Sequence, residues 1–518
     1  MAKTFTELCQ LSDHLFKCQY PMLTLYQTLA DHFYPERSDF TITRNVGTEF
    51  SDNLVDSYPI IVRRDLGNAF DSMLRDGQWF NLTTEDSDYE GSLWLEQATK
   101  RQFKTMNYRD AGFKRATKQG DHDFATFGQC VISVEMNKHF NGLLYRNWHL
   151  RDVAWREDET GQVSDVTRKW KPTNLDLKAT FSAEKLDSKV LEACQKTPYG
   201  EVDVRHIVMT TEAYGDPQFE QNKYVSIFID KTHEHIIEIK GINYPYYAVP
   251  RFQTIAGSPY AYSPATVAGL PDARCLQAMT HTLLEAGERY ARPPIAATMQ
   301  AIRSDVDLNP NGITWVDKDY DERLGAALRP VIQDRGGFPI GLSMRDEIKG
   351  ILNSAFYLNK ISMPPTDREM TATEVVERMK QYRREALPLF APVESEYNGR
   401  LCEMTFDLMM SNNMFGSPHD IPQSLQGQEV DFKFESPLTA SDEERKVNQF
   451  HQTAQLLGEA AQFDQSAPAN INFDAALRDA IQGAGAPTFW LNDPEQVQQQ
   501  RLQQQAQAMA QQAAGTVQ

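Results

Sequence analysis

Met370-Thr371-Ala372-Thr373-Glu374-Val375-Val376-Glu377-Arg378 opens a helix. Thr371 and Glu374 have the spacing of a capping box, in which the hydroxyl and the carboxylate each accept an N–H left over at the helix start. Before it stands Met363-Pro364-Pro365-Thr366-Asp367, which no helix crosses, because proline lacks an N–H and fixes its own φ. After it the helical pattern continues to Asn412, about 60 Å at 1.5 Å per residue, with Pro388 and Pro392 placed to kink it.

Upstream of the break, Ile348, Ile351, Leu352, Ala355 and Phe356 form the stripe of a helix that starts at Ser343. Upstream again lies a β-like insert, 293–340. Its pieces are Ile295–Met299, Gly312–Val316 and Leu328–Ile332, with Asn309-Pro310-Asn311-Gly312 and Gly336-Gly337 as turns. A further helix precedes the insert. Ser263-Pro264 caps it, Pro271 restarts or kinks it, and Cys275, Met279, Leu283, Ala286 and Tyr290 form its apolar face until Arg292-Pro293-Pro294 ends it.

The flanks differ in character. The first ~120 residues read as helices, including one after Pro59 and a third from Leu93 to Lys118. From Gln129 short strands take over, among them Val131–Val134, Val163–Trp170, His206–Thr211, Tyr224–Ile229 and Ile236–Lys240. Beyond Asn412 the pattern predicts helices over Glu443–Ala461 and Phe473–Ile481, then a Gln/Ala-rich end, 491–518. The fold class is therefore α+β, predominantly helical, without the repeating βαβ of a parallel sheet.

The chain has 518 residues, enough for two to four domains, and a net charge of -19. So acidic a protein is a poor non-specific DNA binder, because that affinity comes from neutralising phosphates. It is still able to surround DNA without holding it. Six scattered cysteines with no CxxC pair argue against a zinc site or a disulfide framework. No signal peptide and no membrane-spanning run are evident.

Motifs that carry chemistry are sparse. No GxxxxGK[ST] loop, GxSxG elbow or HExxH helix occurs. His233-Glu234-His235 puts two imidazoles on one face of an expected strand, without a third metal ligand nearby. Asp317-Lys318-Asp319-Tyr320-Asp321 begins like an EF-hand loop but lacks its glycine and its final glutamate, so it reads as an acidic turn. Lys100, Arg101, Lys104, Arg109, Lys114, Arg115 and Lys118, against the single acid Asp110, form a basic stretch. It is either a contact for DNA or an acidic neighbour, or a solvated helix face.

The order of helix (263–291), β insert (293–340), helix (343–359), short loop and long kinked helix (371–412) resembles the core of phage portal proteins, the head-to-tail connector family of short-tailed phages. The likeness is carried by Ser263-Pro264-Ala265-Thr266-Val267-Ala268-Gly269-Leu270-Pro271-Asp272, Ala291-Arg292-Pro293-Pro294 and the Met370–Arg378 opening, and is close over 257–415. It implies a wing at 1–262, stem helices at 263–292 and 341–359, a clip at 293–340 and a tunnel loop at 360–370. A long kinked wing helix and its return follow at 371–435, and crown helices at 436–490. The clip implies docking through Trp315, Asp317, Asp319 and Asp321. The stem and loop imply channel contacts from Lys349, Lys360, Met363, Pro364, Pro365 and Arg368.

The resemblance further implies a closed head-to-tail ring of about twelve copies around double-stranded viral DNA. Its partners are the terminase motor, the tail adaptor, and capsid and scaffold proteins. It implies no membrane, no cofactor, no metal and no catalytic residue. The place expected is the portal vertex of the virion, reached after assembly in the host cytoplasm. Two rival classes remain: a DNA-processing enzyme of packaging, such as a nuclease, and a tail adaptor or tube protein.

Overall fold

Thr4 and Glu7 form a capping box that starts helix α1 (Phe5–Phe33), the Thr4 N–H donating to Glu7 Oε2 at 2.7 Å. The computed structural model describes residues 2–45, 47–52, 54–84, 88–292, 294–298, 302, 305–306, 315–317, 323, 328–330, 337–361, 393–434, 440–460, 471–484, 486, 490–492, 497 and 499–503. The loop at 362–370, the capped opening of the long helix with Pro388 and Pro392, the turns around Asn309 and Gly336, and nearly all the Gln/Ala-rich end lie outside them.

Helices α2 (Tyr58–Leu74), α3 (Tyr89–Met106) and α4 (Phe113–Phe127) follow α1. One helix from Leu93 to Lys118 was the expectation. The chain forms two, because Arg109–Ala111 tightens into a 3₁₀ turn and Gly112 takes φ 70°. A left-handed residue cannot continue a right-handed helix, so the basic stretch is shared between two elements.

Strands β2 (Val131–Met136) and β3 (Leu143–Trp148) pair antiparallel, and β9 (Tyr247–Ala248) joins the free side of β2. Strands β4 (Val153–Glu157), β5 (Val163–Trp170), β6 (Val204–Thr210), β7 (Tyr224–Asp230) and β8 (His235–Ile242) form an antiparallel meander in sequence order. Alternation sets its two faces. Ile227 and Ile229 pack with Leu8 of α1, whereas Phe228 faces the other side with Phe181. That second side is covered by Leu177 of α5 (Asn174–Thr180) and Val190 of α6 (Ser188–Lys196). His206 is fully buried on it, stacked on Phe228 at 4.0 Å and bonded to Ser226 at 2.8 Å; burial holds its imidazole well below the ordinary range.

The main core joins α1, α2 and α4 to β2 and β3 and to the chain after 392. There a π-helical turn, Val393–Gly399, runs into a helix, Arg400–Ser411, which stops at Asn412 as its sequence pattern predicts. Tyr397 packs on Phe124 at 5.6 Å, and Tyr145 donates to or accepts from Thr405 at 2.6 Å. Arg75 Nη1 donates to both carboxylate oxygens of the buried Asp121 (2.9 and 2.8 Å), and its Nε donates to Asn398. One guanidinium thus ties α2, α4 and the returning chain together. Strand β14 (Asp431–Phe434) closes on β1 (Phe80–Thr83). Two further helices, Ala440–Ala460 and Phe473–Gly483, are linked by Lys446 to Asp479 at 3.2 Å.

Candidate functional site

Two helices project from this core. Ser263 accepts from the Thr266 N–H at 3.2 Å, a π-helical turn (Ala265–Gly269) follows, and α8 (Leu270–Ala291) begins with Pro271 in its first turn. The returning helix is Gly337–Ala355. Gly341, early in it, approaches Leu283 late in α8 so closely that an added Cβ would lie 2.7 Å from Leu283 Cδ2. Phe356, just past its end, lies against Gly269, where an added Cβ would be 2.8 Å from the ring. The two helices are therefore antiparallel.

Their base is anchored twice. The apolar anchor is Phe356, fully buried and 5.4 Å from the ring of Phe33, beside Leu352, Ala273 and Leu276. The polar anchor is the approach to α2. Gln277 accepts from the N–H groups of Val55 (2.8 Å) and Asp56 (3.0 Å) and donates to the Asp56 carbonyl at 2.6 Å. The Asp56 carboxylate receives Thr280 Oγ1 at 3.2 Å and Lys349 Nζ at 3.2 Å, and also the Tyr58 N–H at 2.9 Å. Lys349 also lies 5.0 Å from the Tyr58 ring centroid. Burial raises the Tyr58 phenol above its ordinary pKa. The sequence predicts a helix after Pro59, but the partners of Asp56 before it lie more than two hundred residues away and no local signal marks them.

Away from the base the pair is bare. Leu284, Tyr290, Ile340 and Met344 are exposed, with Tyr290 and Ile340 above 60%, and Ile351 is exposed beside the base. The stripe expected on α8 is not the one covered: Cys275, Ala286 and Tyr290 are exposed, and Met279 and Leu283 half-buried. At the far end, β12 (Ile295–Ala297) and β13 (Leu328–Pro330) pair antiparallel, and Ile302 bridges Val316, while the helix expected from Ser343 already starts at Gly337, inside the range expected for the β insert. Trp315 is 67% exposed and Asp317 half-buried. Asp319 and Asp321 lie outside the described residues, as do Met363, Pro364, Pro365 and Arg368. Lys360 is exposed on a short helix, Leu358–Ile361, with its Nζ 6.0 Å from the Tyr357 centroid.

The basic stretch is less uniform than its sequence. Lys100 pairs with Glu96 at 2.6 Å and Arg101 reaches the Met414 carbonyl at 3.4 Å. Lys104, Arg109, Lys114, Arg115 and Lys118 are exposed. The expected His-Glu-His strand face does not form. Glu234 takes φ 57° in the β7–β8 turn, and His233 bonds back to Asp230 at 2.6 Å while His235 enters β8. Among the described residues no group of three or more His, Cys, Asp or Glu is placed to hold a metal, and no helix is long and apolar enough to cross a membrane. The arrangement is mechanical: an anchored antiparallel pair with uncovered apolar sides and a β tip.

Residues 6–491 match the family model described as bacteriophage head to tail connecting protein. The chain is 23% identical over 458 residues to the "Probable portal protein" of Bordetella phage BPP-1, covering 84% of this chain and 79% of that one. It is 21% identical over 512 residues to the "Portal protein" of Salmonella phage epsilon15, covering 94% and 88%.

Proposed function

The chain belongs to the bacteriophage head to tail connecting proteins, and from that premise we propose that it is a portal subunit whose copies close into a ring at the head vertex. The family is structural, so its work is to hold and guide, without a reaction. The ring admits DNA during packaging and releases it at ejection. The observation that supports ring closure is the bare apolar flank of the helix pair. Leu284, Tyr290, Ile340, Met344 and Ile351 leave apolar surface open to water on a projecting hairpin. A head-to-tail ring covers both sides, since each copy offers one flank to each neighbour.

In this reading residues 1–262 are the wing, 263–292 and 341–359 the stem, and 293–340 the clip. The tunnel loop is 360–370, the long wing helix with its return 371–435, and the crown 436–490. The clip, with Trp315 and the acidic turn Asp317–Asp321, docks the terminase motor during packaging and the tail adaptor afterwards. The wing and crown meet capsid and scaffold proteins while the ring assembles in the host cytoplasm. Lys360 and Arg368 give passing DNA weak, salt-screened contacts. Lys349 joins them only by releasing Asp56, its partner at 3.2 Å.

Native mass spectrometry with negative-stain imaging of the purified protein tests the ring directly. A closed assembly of about twelve copies with a central hole is expected. Monomers or dimers alone, across a range of concentration and salt, overturn the reading.

A further inference from the structure

The tip of the β2–β3 hairpin carries an aromatic ring where chain geometry resists one. Phe140 is 72% exposed and has φ 54°, a left-handed conformation that side chains disfavour. The tip is held in that shape. Asn137 accepts from the Asn141 N–H at 3.1 Å and donates to Asn141 Oδ1 at 2.6 Å, and the Phe140 N–H donates to the Asn137 carbonyl at 3.0 Å. Lys138, His139 and Asn141 are exposed beside it. A rigid aromatic knob ringed by basic and amide groups has the character of an interface anchor, because little ordering entropy remains to be lost on docking.

A hollow of complementary character opens elsewhere on the chain. A cavity of about 590 Å³ lies between the ends of α2, α3 and α4. Its lining includes Trp79, Phe103 and Phe113, of which Phe103 is the most open, and its rim carries Asp71 and Asp76 as well as Lys114. Arg75 also lines it, with a side chain only 2% exposed. Nη1 and Nε of Arg75 are bonded to Asp121 and Asn398, and its guanidinium lies 4.6 Å from the Tyr397 ring centroid. Because Asp121 already balances Arg75, the rim keeps the charge of two carboxylates against Lys114.

We propose that the hairpin tip of one copy seats Phe140 in the α2–α4 cavity of the neighbouring copy. Phe140 enters the cavity, and Lys138 and His139 approach Asp71 and Asp76. Knob and hole are different parts of one chain, which is what a head-to-tail contact requires. The contact rests on the ring reading above and adds to it a second seam, within the wing and apart from the helix pair.

A benzophenone side chain in place of Phe140 tests the contact in the assembled protein. Irradiation should give covalent dimers whose cross-linked peptides contain residues 71–79 or 103–117 of the second copy. Cross-links within one chain, to another surface, or none in an intact ring overturn the contact and leave the ring standing. Absence of any assembly in native mass spectra of the unmodified protein overturns both. Charge exchange gives a second measure: Lys138→Glu and Asp76→Lys should each raise the assembly midpoint about tenfold, and the two together should restore it to within about threefold. A double variant no better than the singles counts against the pairing.

Discussion

Helices α1 and α8 are amphipathic to a similar eye, yet they live in different surroundings. Ten of the 29 residues of α1 are buried, including Gln19, whose amide donates to the Leu150 and Val153 carbonyls, each at 2.6 Å. In α8 only Ala273 and Leu276, both at its base, are buried among 22. The N-terminal helix finds most of its cover inside one chain. The projecting helix finds partners at its foot and along one seam, and the remaining apolar surface is left uncovered within the chain. An apolar stripe in a sequence therefore reports that something covers it, without saying whether the cover comes from the same chain.

The largest expected effect tests that difference. Ile340→Glu with Met344→Glu places two charges on the bare flank, where the native side chains are 63% and 51% exposed. Stability of the isolated subunit should change by no more than about 0.5 kcal/mol, as for ordinary surface substitutions, while ring assembly is lost. Equal loss of stability and assembly would mean that the flank is covered within the protomer, and the contrast with α1 would disappear.

The filled region breaks differently. Arg75→Met leaves Asp121 buried without its partner, at 1% side-chain exposure. Removing one member of such a pair is expected to destabilise the subunit by about 3–5 kcal/mol, read from the denaturant midpoint. A smaller effect, about 1–3 kcal/mol, is expected for Asp56→Ala, which strips acceptors from Lys349, Thr280 and the Tyr58 N–H. Because Asp56 joins the two regions, hydrogen exchange in Asp56→Ala should quicken along the helix pair and stay slow in β6 and β7. Uniform quickening would show that the pair is not an independently anchored unit.

These outcomes also mark how far the sequence carries. The helix–insert–helix order, the stop at Asn412 and the strands that form β4–β8 are legible, because capping, proline and two-residue alternation are local signals, whereas the order in which those strands pair is not. The break at Gly112 is not, since a left-handed glycine leaves the surrounding apolar spacing unchanged. The inward side of α8 is misjudged for a different reason. Cys275 and Tyr290 share a stripe with Leu283, but the returning helix lies to the side of Leu276 and Leu283. Asp56 and Arg75 were missed altogether. Their importance comes from Lys349 and Asn398, hundreds of residues away, and a single chain offers no spacing rule for such a meeting.

The smallest expected effect concerns pH and the filled region alone. His122 on α4 lies against Gly67 of α2, where an added Cβ would be 2.3 Å from its Nδ1, and against the Tyr34 ring at 6.2 Å. Burial, then the nearby Arg63 with Lys118 and Arg64 behind it, pushes the imidazole down to about 4, and Asp123 only partly opposes this. The unfolded chain takes up a proton near the ordinary value of about 6.5 that the folded chain refuses until about 4. His122 therefore favours the folded state fully above pH ~6.5, and that contribution declines as the pH falls toward 4. Since His122 is only half-buried, the loss should be about 1–2 kcal/mol, below the full linkage value. His206, buried deeper, acts in the same direction in wild type and variant alike, so a difference measurement isolates His122. Denaturant unfolding of His122→Gln should show a shallower decline between about pH 7 and pH 4.5 than wild type. Parallel curves would mean that α4 and α2 part locally to admit the proton, and that even the filled region has a seam.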